Sequence, residues 1–101
     1  MTQIVENWSR LSGRVESWDA PKSPNDEGIL TIRVEQVGTV ANEEGAAYPN
    51  LLEGVKGTTV RIRVPAAAVP RVRVRAGDEV TLDVRRGRSP DLLFAHPAFT
   101  K

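Results

Sequence analysis

Few residues of this 101-residue chain could take part in catalysis. The single histidine, His96, lies near the C-terminus, and no serine sits in the Gly-x-Ser-x-Gly turn that would make it a nucleophile. Cysteine is absent, which excludes disulfides, thiolate nucleophiles and cysteine-bound zinc. Because catalysis needs several polar groups brought together with suitable pKa values, we predict that the protein is not an enzyme.

Acidic pairs and a glycine-rich segment also give no ligand site. Carboxylate pairs occur in three predicted turns: Asp26-Glu27, Glu43-Glu44 and Asp78-Glu79. Neighbouring side chains in an extended chain point apart, so we expect each pair to be solvated and not to hold a cation. The segment Gly54–Gly57 lacks phosphate-loop spacing and precedes a predicted strand instead of a helix. The sequence therefore predicts neither a metal nor a cofactor.

Arginine offers more chemistry, with eleven copies against three lysines. Residues 56–101 hold ten cations and four acids, a net charge of +6, whereas residues 1–55 hold four cations and nine acids, a net charge of −5. Such asymmetry can indicate a nucleic-acid surface, although acidic and basic strands can also neutralise each other across a sheet. The residues predicted to contact nucleic acid are Arg33, Arg61, Arg63, Arg71, Arg73, Arg75, Arg85, Arg86 and Arg88, with Trp18 or Tyr48 stacking on bases.

Several of these arginines alternate with aliphatic residues, as in Val60–Val64 and Arg71–Arg75. A period of two places successive side chains on opposite faces of a strand, so each such run predicts a buried aliphatic row and an exposed polar row. The predicted strands are Leu11–Ser17, Ile29–Val37, Thr58–Val64, Val80–Arg85 and Leu92–Ala95, with Arg71–Arg75 as a short strand or an extended connector.

The segments between the strands carry their own signals. Gly13 inside the first strand predicts a bulge or a close backbone approach. Pro65–Val69 allows at most one helical turn. Residues 38–57 form a long loop whose apolar segment Tyr48–Leu52 should fold back onto the domain, either to cap one end or to act as a ligand lid.

The strand count, the glycine-interrupted first strand, the helical turn after strand three and the Gly77-Asp78 turn resemble the OB-fold over roughly residues 9–96. The resemblance implies an all-β, five- to six-stranded antiparallel barrel, with an SH3-like barrel as the nearest alternative. It implies one domain spanning residues 1–101, with an N-terminal arm at 1–8 and a C-terminal tail at 97–101.

OB-folds bind single strands on the outer face of strands two and three, which here offers arginines but no aromatic residue. We therefore expect a non-catalytic module that binds single-stranded nucleic acid through an arginine-rich face. The alternative is a protein-interaction or accessory subunit that docks through residues 38–57 or an edge strand. The N-terminal sequence lacks a signal-peptide pattern and no apolar stretch approaches about 18 residues, so we expect a cytoplasmic location and no membrane partner.

Overall fold

The strands form where the period-two pattern predicts them, in a computed structural model that describes residues 6–89 and 91–97. The bounds of the five strands are β1 Ser9–Asp19, β2 Gly28–Thr39, β3 Thr59–Val64, β4 Glu79–Arg86 and β5 Leu93–Ala95. Most of the predicted N-terminal arm and C-terminal tail, residues 1–5 and 98–101, lies outside the described residues. The all-β prediction is confirmed, and each strand starts or ends within two residues of its predicted bounds.

The strands close into a barrel in the order β1-β2-β3-β5-β4, which is consistent with the predicted OB-fold-like architecture. One pair departs from the predicted antiparallel arrangement, because β3 and β5 are parallel. The reason is geometric: β4 runs antiparallel to β1 and β5 runs antiparallel to β4, so insertion of β5 beside β3 aligns their directions. No sixth strand occurs in the described part of the chain.

The barrel interior is filled by the aliphatic rows. Leu30, Ile32 and Val34 of β2 are at most 1% exposed and alternate with partly or fully exposed neighbours. The other strands contribute the inward residues Leu11, Val15, Ile62, Val64, Val80, Leu82, Val84, Leu93 and Ala95. Burial of these side chains removes apolar surface from water and supplies the main stabilisation of the barrel.

Two bulges coil β1 and β2 around this core. Ser12 pairs with Gln36 and Gly13 with Val34, which leaves Glu35 as an extra residue in β2; by the same count, Glu16 is extra in β1. A Cβ on Gly13 would overlap the carbonyl oxygen of Arg33. The predicted bulge and close backbone approach at Gly13 are therefore confirmed.

The connection from β3 to β4 packs against the core without forming a strand. A 3-10 turn at Val69–Arg71 follows the fully buried Ala68, close to the predicted helical turn. Val72 and Val74 are half buried and pack against the core, whereas the intervening arginine side chains are exposed. Of the two predicted alternatives for Arg71–Arg75, a short strand or an extended connector, the structure shows the extended connector.

The long loop folds back onto the barrel as expected. Leu52 is 2% exposed and belongs to the core, and the Ser9 hydroxyl donates a hydrogen bond of 2.5 Å to the Asn50 side-chain oxygen. A 3-10 turn at Glu53–Val55 leads towards β3. Within the described residues, the helical segments are too short to cross a membrane.

Candidate nucleic-acid interface

The outside of β1 and β4 carries a row of paired charges, which we call the ladder face: Arg10, Ser12, Arg14, Glu79, Thr81 and Asp83. Arg10 Nε lies 2.9 Å from Asp83 Oδ1, and Arg14 Nη2 lies 3.2 Å from Glu79 Oε1. The hydrogen bond to Asp83 and the attraction between the two charges raise the pKa of Arg10. On this face acidic and basic side chains pair across the strands, but the cations come from residues 1–55 and the acids from residues 56–101, so these pairs do not offset the charge division between the two halves.

The outside of β2 and β3 is different, because across this pair of strands the arginines lie opposite neutral residues; on its other side Arg33 lies opposite Arg14 of β1, and the Thr59 hydroxyl donates a 2.8 Å hydrogen bond to the Glu16 carboxylate. Arg33 pairs in register with Thr59, Arg61 with Thr31, and Arg63 with Ile29. Among the described residues, the Arg33 and Arg61 side chains make no hydrogen bond or ion pair, and both residues are exposed. Arg63 Nη1 lies 3.7 Å from Glu27 Oε1, and both side chains are nearly half exposed. These guanidinium groups are therefore open to an anionic ligand.

Strand β5 adds an aromatic ring to this surface. Leu93 and Ala95 point into the core, so Phe94 between them faces outward, in register with Arg63 on one side and Arg85 on the other. The Arg85 guanidinium carbon lies 5.1 Å from the centre of the Phe94 ring, within cation–π distance. We call the set Arg33, Arg61, Arg63, Phe94 and Arg85 the cationic face.

Phe94 is the residue that sequence reasoning missed. Its outward direction was available from the alternation of Leu93, Phe94 and Ala95. Its position beside Arg63 was not available, because the parallel pairing of β3 with β5 appears only when the barrel closes.

A groove of about 430 Å³ runs along the cationic face. It exists because β5 pairs with β3 only at Ile62 and Arg63, which leaves the preceding residues of β3 without a neighbouring strand on that side. Its lining is Ile29, Thr59, Val60, Arg61, Arg63, Asp91 and Leu93. A second hollow of about 440 Å³ shares Ile29 and Arg63 with the groove and extends it to the acidic β1–β2 connection.

Two further predicted arginines lie near the turn between β4 and β5: Arg86 ends β4, and Arg88 lies on the turn, which contributes Asp91 to the groove. The turn is closed by a 2.7 Å hydrogen bond from the Gly87 amide to the Leu92 carbonyl. Arg88 is exposed on it. Arg86 Nε is buried and has no hydrogen-bond partner among residues 6–89 and 91–97. Arg86 pairs with the inward-facing Leu93, so this predicted contact residue does not belong to the outer cationic face, and Arg88 remains an exposed cation of the turn.

Of the predicted contact residues, Arg61 and Arg63 line the groove, Arg33 and Arg85 lie on neighbouring strands, and the others lie elsewhere. Arg71, Arg73 and Arg75 project from the connector between β3 and β4. Trp18 is half buried, packs against the core and lies so close to Gly28 that a Cβ there would overlap the indole. Tyr48 is half buried in the long loop, where its amide donates to the Val40 carbonyl at 2.8 Å. The structure therefore divides the predicted site into a groove set and residues that lie elsewhere.

Comparisons with protein-family models, with curated proteins and with solved structures gave no match. The likeness to the OB-fold therefore comes from strand order and bulges, and the functional argument depends on the chemistry of the cationic face.

Proposed function

We propose that the protein is a non-catalytic module that binds single-stranded nucleic acid along the cationic face. The observation that carries this proposal is the contrast in pairing: Arg33 and Arg61 have no acidic partner among the described residues, whereas Arg10 and Arg14 have one each. Guanidinium groups without a partner on an open groove can take phosphate oxygens as acceptors.

Phe94 supports a single-stranded ligand in particular. A base stacked on an aromatic ring contributes about 1–3 kcal/mol, and stacking requires bases that are free of a duplex. Arg63 and Arg85 flank the ring in register, so phosphates and a base can be contacted together. The proposal keeps the expected cytoplasmic location, where single-stranded RNA is accessible.

The acidic residues at one end of the groove limit where the sugar–phosphate backbone of a nucleic acid can lie. Asp19, Asp26 and Glu27 line the hollow at the β1–β2 connection, whereas Arg61 lines the groove and not the hollow. Acidic side chains repel phosphates, and Asp91 of the β4–β5 turn also lines the groove, so we place the phosphates over Arg61 and Arg63 of β3 and beside β5.

The test is a titration of a labelled oligothymidylate or oligouridylate of about 12 nucleotides, followed by fluorescence anisotropy. For about four neutralised phosphates, the single-strand salt slope of about −0.7 per phosphate predicts roughly a 50-fold loss of affinity between about 50 and 200 mM salt. No change in anisotropy at the lower salt concentration would refute the proposal.

The chain offers a matched control for this titration. The double variant R33Q/R61Q removes two charges from the cationic face, and the double variant R10Q/R14Q removes the same charge from the ladder face. We expect about a tenfold loss of affinity for the first and less than twofold for the second, because only the first removes unpaired guanidinium groups. Equal losses would show that net charge alone attracts the oligonucleotide.

The protein-docking alternative has weaker support. Within the described part of the chain, Leu51 of the long loop is the large apolar side chain that is exposed, at 43%. A stable interface buries about 800 Å² per partner, far more than one leucine provides. A partner captured by the wild type and lost on L51S, without oligonucleotide binding, would favour this alternative.

A further inference from the structure

A separate apolar niche lies on the other side of Phe94 from the groove. Its volume is about 300 Å³, which is at the lower end of the range for small-ligand sites. Its lining is Trp8, Pro65, Arg85, Phe94, Ala95 and Pro97. Strand β5 contributes to both hollows, with Leu93 lining the groove and with Phe94 and Ala95 lining the niche.

Trp8 is held firmly at this niche although it precedes the first strand. The side chain of Asn7 is fully buried and makes two hydrogen bonds to the backbone of Arg86: Nδ2 donates to the carbonyl at 3.0 Å, and Oδ1 accepts from the amide at 2.9 Å. These bonds extend the pairing of Ser9 with Val84 and place Trp8 beside Arg85. The Trp8 ring also lies 5.0 Å from the His96 ring.

The result is an outer row in which aromatic and cationic side chains alternate: Trp8, Arg85, Phe94, Arg63. Its order follows from the register of β4, β5 and β3 together with the Asn7 hydrogen bonds. The Arg85 guanidinium carbon lies over the Phe94 ring, and both residues line the niche, so the niche wall combines a positive charge with an aromatic ring. Bases stack on aromatic rings and on guanidinium planes, whereas phosphates need the positive charges that stand between them.

We propose that the niche is a base-binding subsite, in which one nucleobase of a bound single strand stacks against Trp8 and the Arg85–Phe94 pair. This inference rests on the proposed function, and it specifies where the bound nucleic-acid strand would leave the groove. The occupant is a base because the niche offers flat apolar walls, and because Arg85 and Arg63 supply the charge that the adjoining phosphates require.

Single-tryptophan variants test the subsite directly, because the chain holds two tryptophans. In W18F, Trp8 is the fluorophore, and we expect oligothymidylate to quench it with the midpoint found by anisotropy. In the matched control W8F, Trp18 reports from its place against Gly28, and we expect little quenching. An oligonucleotide that binds by anisotropy but leaves Trp8 emission unchanged would overturn the inference and leave the proposed function standing.

Two conservative variants separate stacking from charge. Phe94→Leu keeps an apolar side chain and removes the ring, and Arg85→Lys keeps the charge and removes the plane. We expect each to weaken oligothymidylate binding by about tenfold, and neither to change the binding of an abasic strand of the same length. If Phe94→Leu lowers stability, Arg85→Lys decides the question, since Arg85 lies on the barrel exterior.

Unchanged oligothymidylate binding in both variants would also overturn the subsite. Quenching of Trp8 by a proline-rich peptide, with none by oligothymidylate, would assign the niche to a different class of ligand. Absence of any anisotropy change in the wild type would instead refute the proposed function, and the subsite with it.

Discussion

The ladder face and the cationic face both carry outward arginines, yet only the ladder face sets carboxylates opposite them in register. Across β1 and β4, Arg10 lies opposite Asp83 and Arg14 opposite Glu79. Across β2 and β3, Arg61 lies opposite Thr31. The difference lies in strand register, which decides whether an outward arginine meets a carboxylate or a neutral residue.

The two faces also differ in what their charges contribute to folding stability and to the attraction of phosphates. Exposed ion pairs add little to folding stability, typically between zero and 1 kcal/mol. The ladder face therefore lowers the local charge of the barrel more than it stabilises it. The arginines of the cationic face keep their positive potential, which is the property that a phosphate chain recognises.

We expect the largest effect, on folding stability, from Gly13→Ala, because this substitution disturbs the pairing of β1 with β2, the strands where the two faces adjoin. The added Cβ would overlap the Arg33 carbonyl oxygen, so β1 and β2 must move apart. We expect a loss of about 3 kcal/mol in the free energy of unfolding, measured by urea denaturation. Gly54→Ala is the control, because no atom lies within 4 Å of its added Cβ. Equal stability of the two variants would contradict the role of Gly13.

A smaller effect is expected when an acid is placed opposite an arginine of the cationic face. Thr31→Glu puts a carboxylate in register with Arg61 and copies the arrangement of the ladder face. We expect about a fivefold loss of oligonucleotide affinity, because one phosphate-binding group is neutralised and an anion is added. Thr81→Glu adds the same charge to the ladder face and should reduce affinity by less than twofold.

The reverse exchange should turn the ladder face into a weak binding surface. The double variant D83N/E79Q removes the partners of Arg10 and Arg14. We expect affinity at low salt to rise about twofold, because two further guanidinium groups become available. Stability should fall by less than about 1 kcal/mol in urea denaturation. An affinity that stays unchanged would show that the shape of the groove, and not free charge alone, selects the ligand.

The smallest effect concerns the pH dependence of the Arg10–Asp83 pair. The pKa of Arg10 is raised by its hydrogen bond to Asp83 and by charge attraction. Because the pKa of Arg10 is higher in the folded state, the pair contributes fully to folding stability at pH values below the ordinary arginine pKa. This contribution is lost only when the pH rises through the pKa that Arg10 has in the folded protein. The stability difference between wild type and R10Q should therefore stay constant from about pH 6 to about pH 10. If this stability difference shrinks between about pH 6 and about pH 10, a group other than Arg10 must titrate in that range and account for the change.

Strand positions and inward rows could be predicted because they are local properties of the sequence. The alternation around Ile32 and Ile62 requires one face of each strand to be buried, whatever the partner strand is. Gly13 was predictable for the same reason, since a glycine inside a strand indicates a bulge or a close approach. The arginines could be identified as outward-facing by the same parity.

The composition of the candidate site could be predicted only in part. Arg61 and Arg63 share the groove and Arg33 and Arg85 lie on nearby strands, whereas Arg71, Arg73 and Arg75 alternate equally well but lie on a connector. Local alternation cannot distinguish the two cases, because an extended segment packed against a core shows the same period as a strand. Phe94 and Trp8 join the face through contacts with residues distant in sequence.

The amino-acid sequence by itself therefore determined the strands, the direction of each side chain and the bulge at Gly13, because each depends on neighbours a few residues away. Only the tertiary structure decided which charges meet. Barrel closure places β5 between β3 and β4 and sets Arg61 opposite Thr31 and Arg10 opposite Asp83. Register across a closed barrel depends on all strands at once, and one residue of slip would change every such pair.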